Sequence, residues 1–122
     1  MITVLADAGP AVGLGHLSRA GAVVAALRAQ GHEVDTYVLG GEAVDRDGIA
    51  WAALEDRVAP PPGDGPLLVD SYRVDVDALA AQRPVATFFD GVGPRPARAA
   101  LTIAFTDPDG PRLACLRPMF WG

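Results

Sequence analysis

The sequence predicts an α/β fold, a parallel sheet with helices on both faces. Three observations carry that expectation. Short apolar runs at 2–6, 33–39, 67–69, 85–89 and 101–105 alternate with helix-like stretches. Loops rich in glycine and proline separate them, and most of the fourteen glycines and eleven prolines fall there rather than inside the periodic segments. Finally, Asp7, Asp70 and Asp90 each follow directly on an apolar run. Strands alternating with helices specify a parallel sheet covered by its own crossover connections. Such sheets bind ligands beyond the carboxyl ends of their strands.

Each element has a local reason. The run 2–6 (ITVLA) is β-branched and apolar, the pattern of a buried strand. Residues 17–30 form an alanine-rich helix, with Leu17, Val23, Val24 and Leu27 as its apolar positions and Arg19, Arg28 and Gln30 outward. Its alanines raise helix propensity and let it lie close to a sheet. Gly31 stops it, and His32 beyond is expected in solvent, complementing the helix dipole. Residues 33–39 make the second strand, ended by Gly40-Gly41. Residues 42–55 are ambiguous, and Ile49, Ala50, Trp51 and Leu54 suggest a short helix or turn near a third strand. After the proline loop 59–66, residues 67–69 read as a strand ending at Asp70, 74–82 as a helix, 85–89 as a strand ending at Asp90, and 101–105 as a further strand.

Composition bounds the function. The chain of 122 residues suits one domain with a real core, half of it apolar and a fifth charged. Formal charge is −5 with no basic stripe, which argues against nucleic acid as a partner. A single cysteine, Cys115, excludes an internal disulfide and suits a reducing compartment. The longest apolar stretch, 20–27, is too short for a membrane span, and residues 1–7 lack a basic leader, so the expectation is a cytoplasmic protein. Trp51 and Trp121 read as packing residues.

The segment Gly13-Leu14-Gly15-His16-Leu17-Ser18-Arg19 bears most directly on chemistry. Gly13 and Gly15 let backbone approach a ligand closely. A helix start offers unpaired N–H groups and a partial positive charge. That charge favours the neutral form of an imidazole placed there, which can accept a proton. His16 is therefore the candidate base, and Asp7, Asp70 and Asp90 are expected to converge on it from the strand ends. A capping or turn role is the alternative for Asp70 and Asp90. The loop is not a dinucleotide fingerprint, because Ser18 stands at the third glycine and strand two ends without an acid. Nor does a Gly-Lys-Ser/Thr phosphate loop follow. No spacing points to a metal.

Together, Ala6-Asp7, the Gly13–Arg19 loop, Asp70-Ser71-Tyr72 and Phe89-Asp90 resemble the amino-terminal half of the pseudaminic-acid-pathway UDP-sugar hydrolases. These are also known as spore-coat polysaccharide biosynthesis proteins. Residues 110–120 (GPRLACLRPMF) are similar to that family's G-P-x-Y-A-L-L-R-P-E-F segment. The resemblance implies a GT-B glycosyltransferase-like fold of two Rossmann-like halves, with 1–115 the first half and 116–122 a linker or the start of a second. It implies hydrolysis of UDP-2,4-diacetamido-2,4,6-trideoxy-β-L-altropyranose to UDP and free sugar. His16 would be the general base, and Asp7, Gly13, Gly15, Arg19, Asp70, Tyr72 and Asp90 would contact the nucleotide-sugar or sugar ligand. It implies no cofactor and no metal, and a carboxy-terminal GT-B half or self-association to complete the cleft. Leu5 stands where the family has arginine, Asp90-Gly91 where it has paired aspartates, and residues 101–105 replace its Asp-to-Asn segment. The competing expectation, resting on those departures, is a non-catalytic module that binds a sugar or a protein.

Overall fold

Valine- and leucine-rich segments form seven strands in the computed structural model, which describes residues 1–8, 15–40, 42–54, 61–71, 74–89 and 97–104. In chain order the elements are β1 (Ile2–Asp7), α1 (Gly15–Ala29), β2 (Val34–Leu39), β3 (Val44–Arg46), β4 (Ile49–Leu54), β5 (Leu67–Asp70), α2 (Val76–Ala80), β6 (Val85–Phe89) and β7 (Leu101–Ala104). They make one sheet in the order β3-β4-β2-β1-β5-β6-β7. Six strands are parallel, and β3 pairs antiparallel at the edge. The chain builds outward from β1 through β2 to β4, then returns to the other side of β1 with β5, β6 and β7. The order therefore reverses between β1 and β5, the switch point of a doubly wound sheet. The α/β, Rossmann-like architecture expected from the sequence is the one observed.

Alternation along each strand divides the core into two layers. On one face Val4, Ala6, Val38 and Leu68 pack with Leu17, Ala20, Val23 and Val24 of α1. On the other, Leu5, Leu39, Val69 and Val85 pack with Val76 of α2, and Leu79 lies partly buried against them. Helices thus cover both faces. The central strand has the most to lose on exposure. Thr3, Val4, Leu5, Ala6 and Asp7 are all buried, and each fully buried aliphatic side chain contributes about 1.5–3 kcal/mol. Among the described residues no helix is long and apolar enough to cross a membrane.

Three elements differ from the sequence expectation. First, α1 starts at Gly15 rather than at residue 17, so His16 lies inside its first turn. The helix ends as expected at Gly31 (φ 91°), where Gly31 N–H donates to Arg28 O and His32 N–H to Leu27 O. That pair of bonds is a Schellman motif, and it requires the left-handed conformation that glycine adopts without strain. His32 is exposed, as expected.

Second, where a short helix or turn was expected in 42–55, the described residues 42–54 hold strands instead. β3 and β4 form a hairpin with Arg46 opposite Ile49. Asp47 (φ 53°) and Gly48 (φ 78°) occupy the two-residue turn, and both take the positive φ that such hairpins favour. Ile49 and Trp51 alternate inward with exposed Ala50 and Ala52, so period two prevails over a helical reading.

Third, α2 spans only Val76–Ala80, where 74–82 was expected. Asp75 caps it, its carboxylate accepting from Ala78 N–H at 3.1 Å. Pro84 disfavours helical continuation through Arg83.

Candidate active site

Asp70 is the last residue of β5 and lies opposite Ala6 of β1, at the switch point. Strand alternation sends its side chain to the α1 face, the side of Leu68. There it meets the first turn of α1. His16 and Arg19 are three residues apart, a spacing that puts both on one helix face. His16 Nδ1 lies 2.5 Å from Asp70 Oδ1. Arg19 grips the same carboxylate with two prongs, Nε to Oδ2 at 2.7 Å and Nη2 to Oδ1 at 2.5 Å. Its guanidinium also lies over the Phe88 ring, 4.7 Å from the centroid. Stacking and a bidentate pair together restrain a planar cation.

Burial makes this cluster consequential. The Asp70 side chain is 1% exposed and that of His16 7%, whereas Arg19 keeps 25% of its side chain in contact with solvent. A buried carboxylate is costly unless paired and hydrogen-bonded, and Arg19 supplies the pairing. The first turn of α1 is also tied to the edge hairpin. Arg46 Nη2 donates to Ser18 Oγ at 3.2 Å.

Asp7 ends the neighbouring strand but alternates to the α2 side, the side of Leu5. It is wholly buried and accepts a hydrogen bond from Ser71 Oγ at 2.8 Å. Ser71 Oγ in turn accepts from Val74 N–H at 3.3 Å, shaping the turn that leads into α2. Two buried carboxylates thus end adjacent strands at the same edge of the sheet, each engaged by a side chain that follows a different strand.

Of the residues expected at the site, the structure gathers His16, Arg19 and Asp70 into one cluster, with Asp7 at the same edge bonded to Ser71. Arg19 was expected both outward on the helix and at the ligand; it is partly buried and turned onto Asp70. Asp70 does not cap α2, a role that falls to Asp75. Gly15 is the exposed first residue of α1, with no atom of the described residues within 4 Å of where a Cβ would stand. Gly13, Tyr72 and Asp90 lie outside the described residues, as do Cys115, Trp121 and the segment 116–122. Trp51 is buried in the core, as expected. Among the described residues no three His, Cys, Asp or Glu side chains gather as metal ligands.

Sequence reasoning missed Phe88 and the bond from Ser71 to Asp7. Phe88 carried only the signal of an inward position in β6, which says packing and not support for a cation. Ser71 stood inside a noted motif, but nothing in the sequence paired it with Asp7.

Comparison of the chain with known protein families, with curated proteins and with solved structures finds no match. Fold and site together define an α/β protein with a buried histidine–aspartate–arginine cluster at the carboxyl edge of a doubly wound sheet. A carboxylate held against an imidazole in such a place is equipped to handle a proton.

Proposed function

We propose that the chain is the base-bearing domain of a nucleotide-sugar hydrolase or related glycosyltransferase, equivalent to the amino-terminal half of a GT-B fold. The observation that supports this most is the buried His16–Asp70 pair at the switch point, where open α/β sheets bind ligands. His16 takes a proton from water, the water oxygen bonds to the anomeric carbon, and the bond from that carbon to the diphosphate oxygen breaks. The electron pair leaves with UDP. The sugar is of the 2,4-diacetamido-trideoxy class that the sequence resemblance implies, and exposed Gly15 and partly exposed Arg19 contact it, whereas Asp7 is buried and bonded to Ser71. A carboxy-terminal half or a second copy of the chain supplies the diphosphate site, and the reaction is cytoplasmic.

The test is UDP release from UDP-2,4-diacetamido-2,4,6-trideoxy-β-L-altropyranose by the wild type and by His16→Ala. General-base catalysis contributes about 10²–10⁴-fold, so the variant should lose that much rate while keeping its circular dichroism spectrum. Equal rates in the two proteins would refute the base assignment. If the wild type releases no UDP yet is stabilised against heat by the nucleotide sugar, the domain is a binding module instead.

A further inference from the structure

We propose that Asp70 is a positioning residue: it holds the His16 imidazole with its proton on Nδ1, so that Nε2 is the nitrogen that accepts a proton. The catalytic half of this statement rests on the reading of His16 as the base. The tautomer itself follows from hydrogen-bond bookkeeping. Arginine is always protonated and only donates. Arg19 places one N–H on each oxygen of Asp70, and an ionised carboxylate only accepts. His16 Nδ1 meets one of those same oxygens at 2.5 Å. A nitrogen facing an acceptor must donate. The proton of the neutral ring is therefore on Nδ1, the reverse of the form that predominates in a free histidine side chain.

The same atoms explain why the arrangement persists. Arg19 is restrained on Phe88 and grips both carboxylate oxygens, so Asp70 has little freedom to rotate away from the ring. The opposite charges of Arg19 and Asp70 balance, and the trio carries no net charge while the imidazole is neutral. When His16 takes up a proton, Asp70 already faces the new positive charge at Nδ1. In this way a buried carboxylate sets which nitrogen does the work.

The experiment is long-range proton–nitrogen correlation NMR on the full chain labelled with ¹⁵N-histidine, at about pH 8.5, roughly two units above the titration point of a free imidazole. There are two histidines, and exposed His32 is an internal reference that His32→Gln assigns. The expected wild-type spectrum shows His16 protonated at Nδ1 and bare at Nε2, with His32 in the ordinary form. A His16 proton found on Nε2 overturns the proposal, and that measurement needs no variant to fold.

Asp70→Asn adds a second test. It replaces one acceptor by an NH₂ donor, which cannot satisfy both Arg19 and His16, so His16 should move toward the ordinary tautomer. An unchanged tautomer in a folded variant would also overturn it. In UDP release, kcat should fall about 100-fold or more with KM little altered. A wild type that holds the Nδ1–H form but releases no UDP argues against a hydrolase that works without a further GT-B half, and leaves the role of Asp70 toward His16 standing.

Discussion

Arg83 and Asp70 are both buried charges, and the fold accommodates them in different ways. Asp70 is held by side chains. Arg83 spends its donors on backbone: Nε to Gly65 O at 2.7 Å, and Nη1 to Pro61 O at 3.1 Å and Pro62 O at 3.3 Å, with Nη2 reaching Thr3 Oγ at 3.3 Å. It fastens the proline loop to the amino end of β1, at the edge of the sheet opposite the candidate site. Arg83→Ala strands those carbonyls and should cost about 2–3 kcal/mol. The expected readout is a lower urea midpoint with an unchanged slope. Nothing in the sequence pointed to this residue, because arginine is ordinarily a surface side chain and all but one of the partners just named are main-chain atoms, which carry no residue-type signal. Asp70 was legible for the opposite reason. An acid directly after an apolar run marks a strand end, and strand ends are where such sheets act.

At the scale of elements, legibility followed the length of the periodic signal. The strands at 85–89 and 33–39 and the long helix were readable because several residues vote for one period. The β3–β4 hairpin was not. Its strands are short, alanine blurs their alternation, and the decisive cue was the single pair Asp47-Gly48. The short helix α2 was overextended because its limits depend on a cap at Asp75 and a proline at 84, not on periodicity. The cap of α1 was legible from Gly31 alone, and it offers a clean test. No atom of the described residues lies within 4 Å of the position a Cβ would take there, so among them Gly31→Ala meets only torsional strain at φ 91°. That should cost about 1 kcal/mol and lower Tm by a few degrees, as calorimetry would register. A larger loss would mean that the Schellman turn has contacts beyond its own hydrogen bonds.

For the molecule as a whole, the sequence predicted the parallel sheet and its two helical layers but not where the carboxylates would point. Asp7 and Asp70 were expected to meet on one edge, and they do share that edge. Their faces were hidden, since a side chain's face depends on register, and register is set by strands far apart in sequence. β1 meets β2 at Ile2–Val34 and β5 at Thr3–Leu67, a closure over roughly twice as much chain and dearer by about 0.6 kcal/mol of entropy. Long-range parallel pairing is also slow. In refolding, Trp51 fluorescence in a Trp121→Phe background reports the β2 side and should recover before the His16 signal that reports β5. Simultaneous recovery of both would mean that the sheet closes in one step. The pairing of His16 with a carboxylate 54 residues further along the chain thus makes the site a clock as well as a tool. Until β5 docks, a nascent chain carries an ordinary histidine. If His16 acts as proposed, competence arrives with the last strand to seat against β1, and an unfinished molecule stays inert without any inhibitor to keep it so.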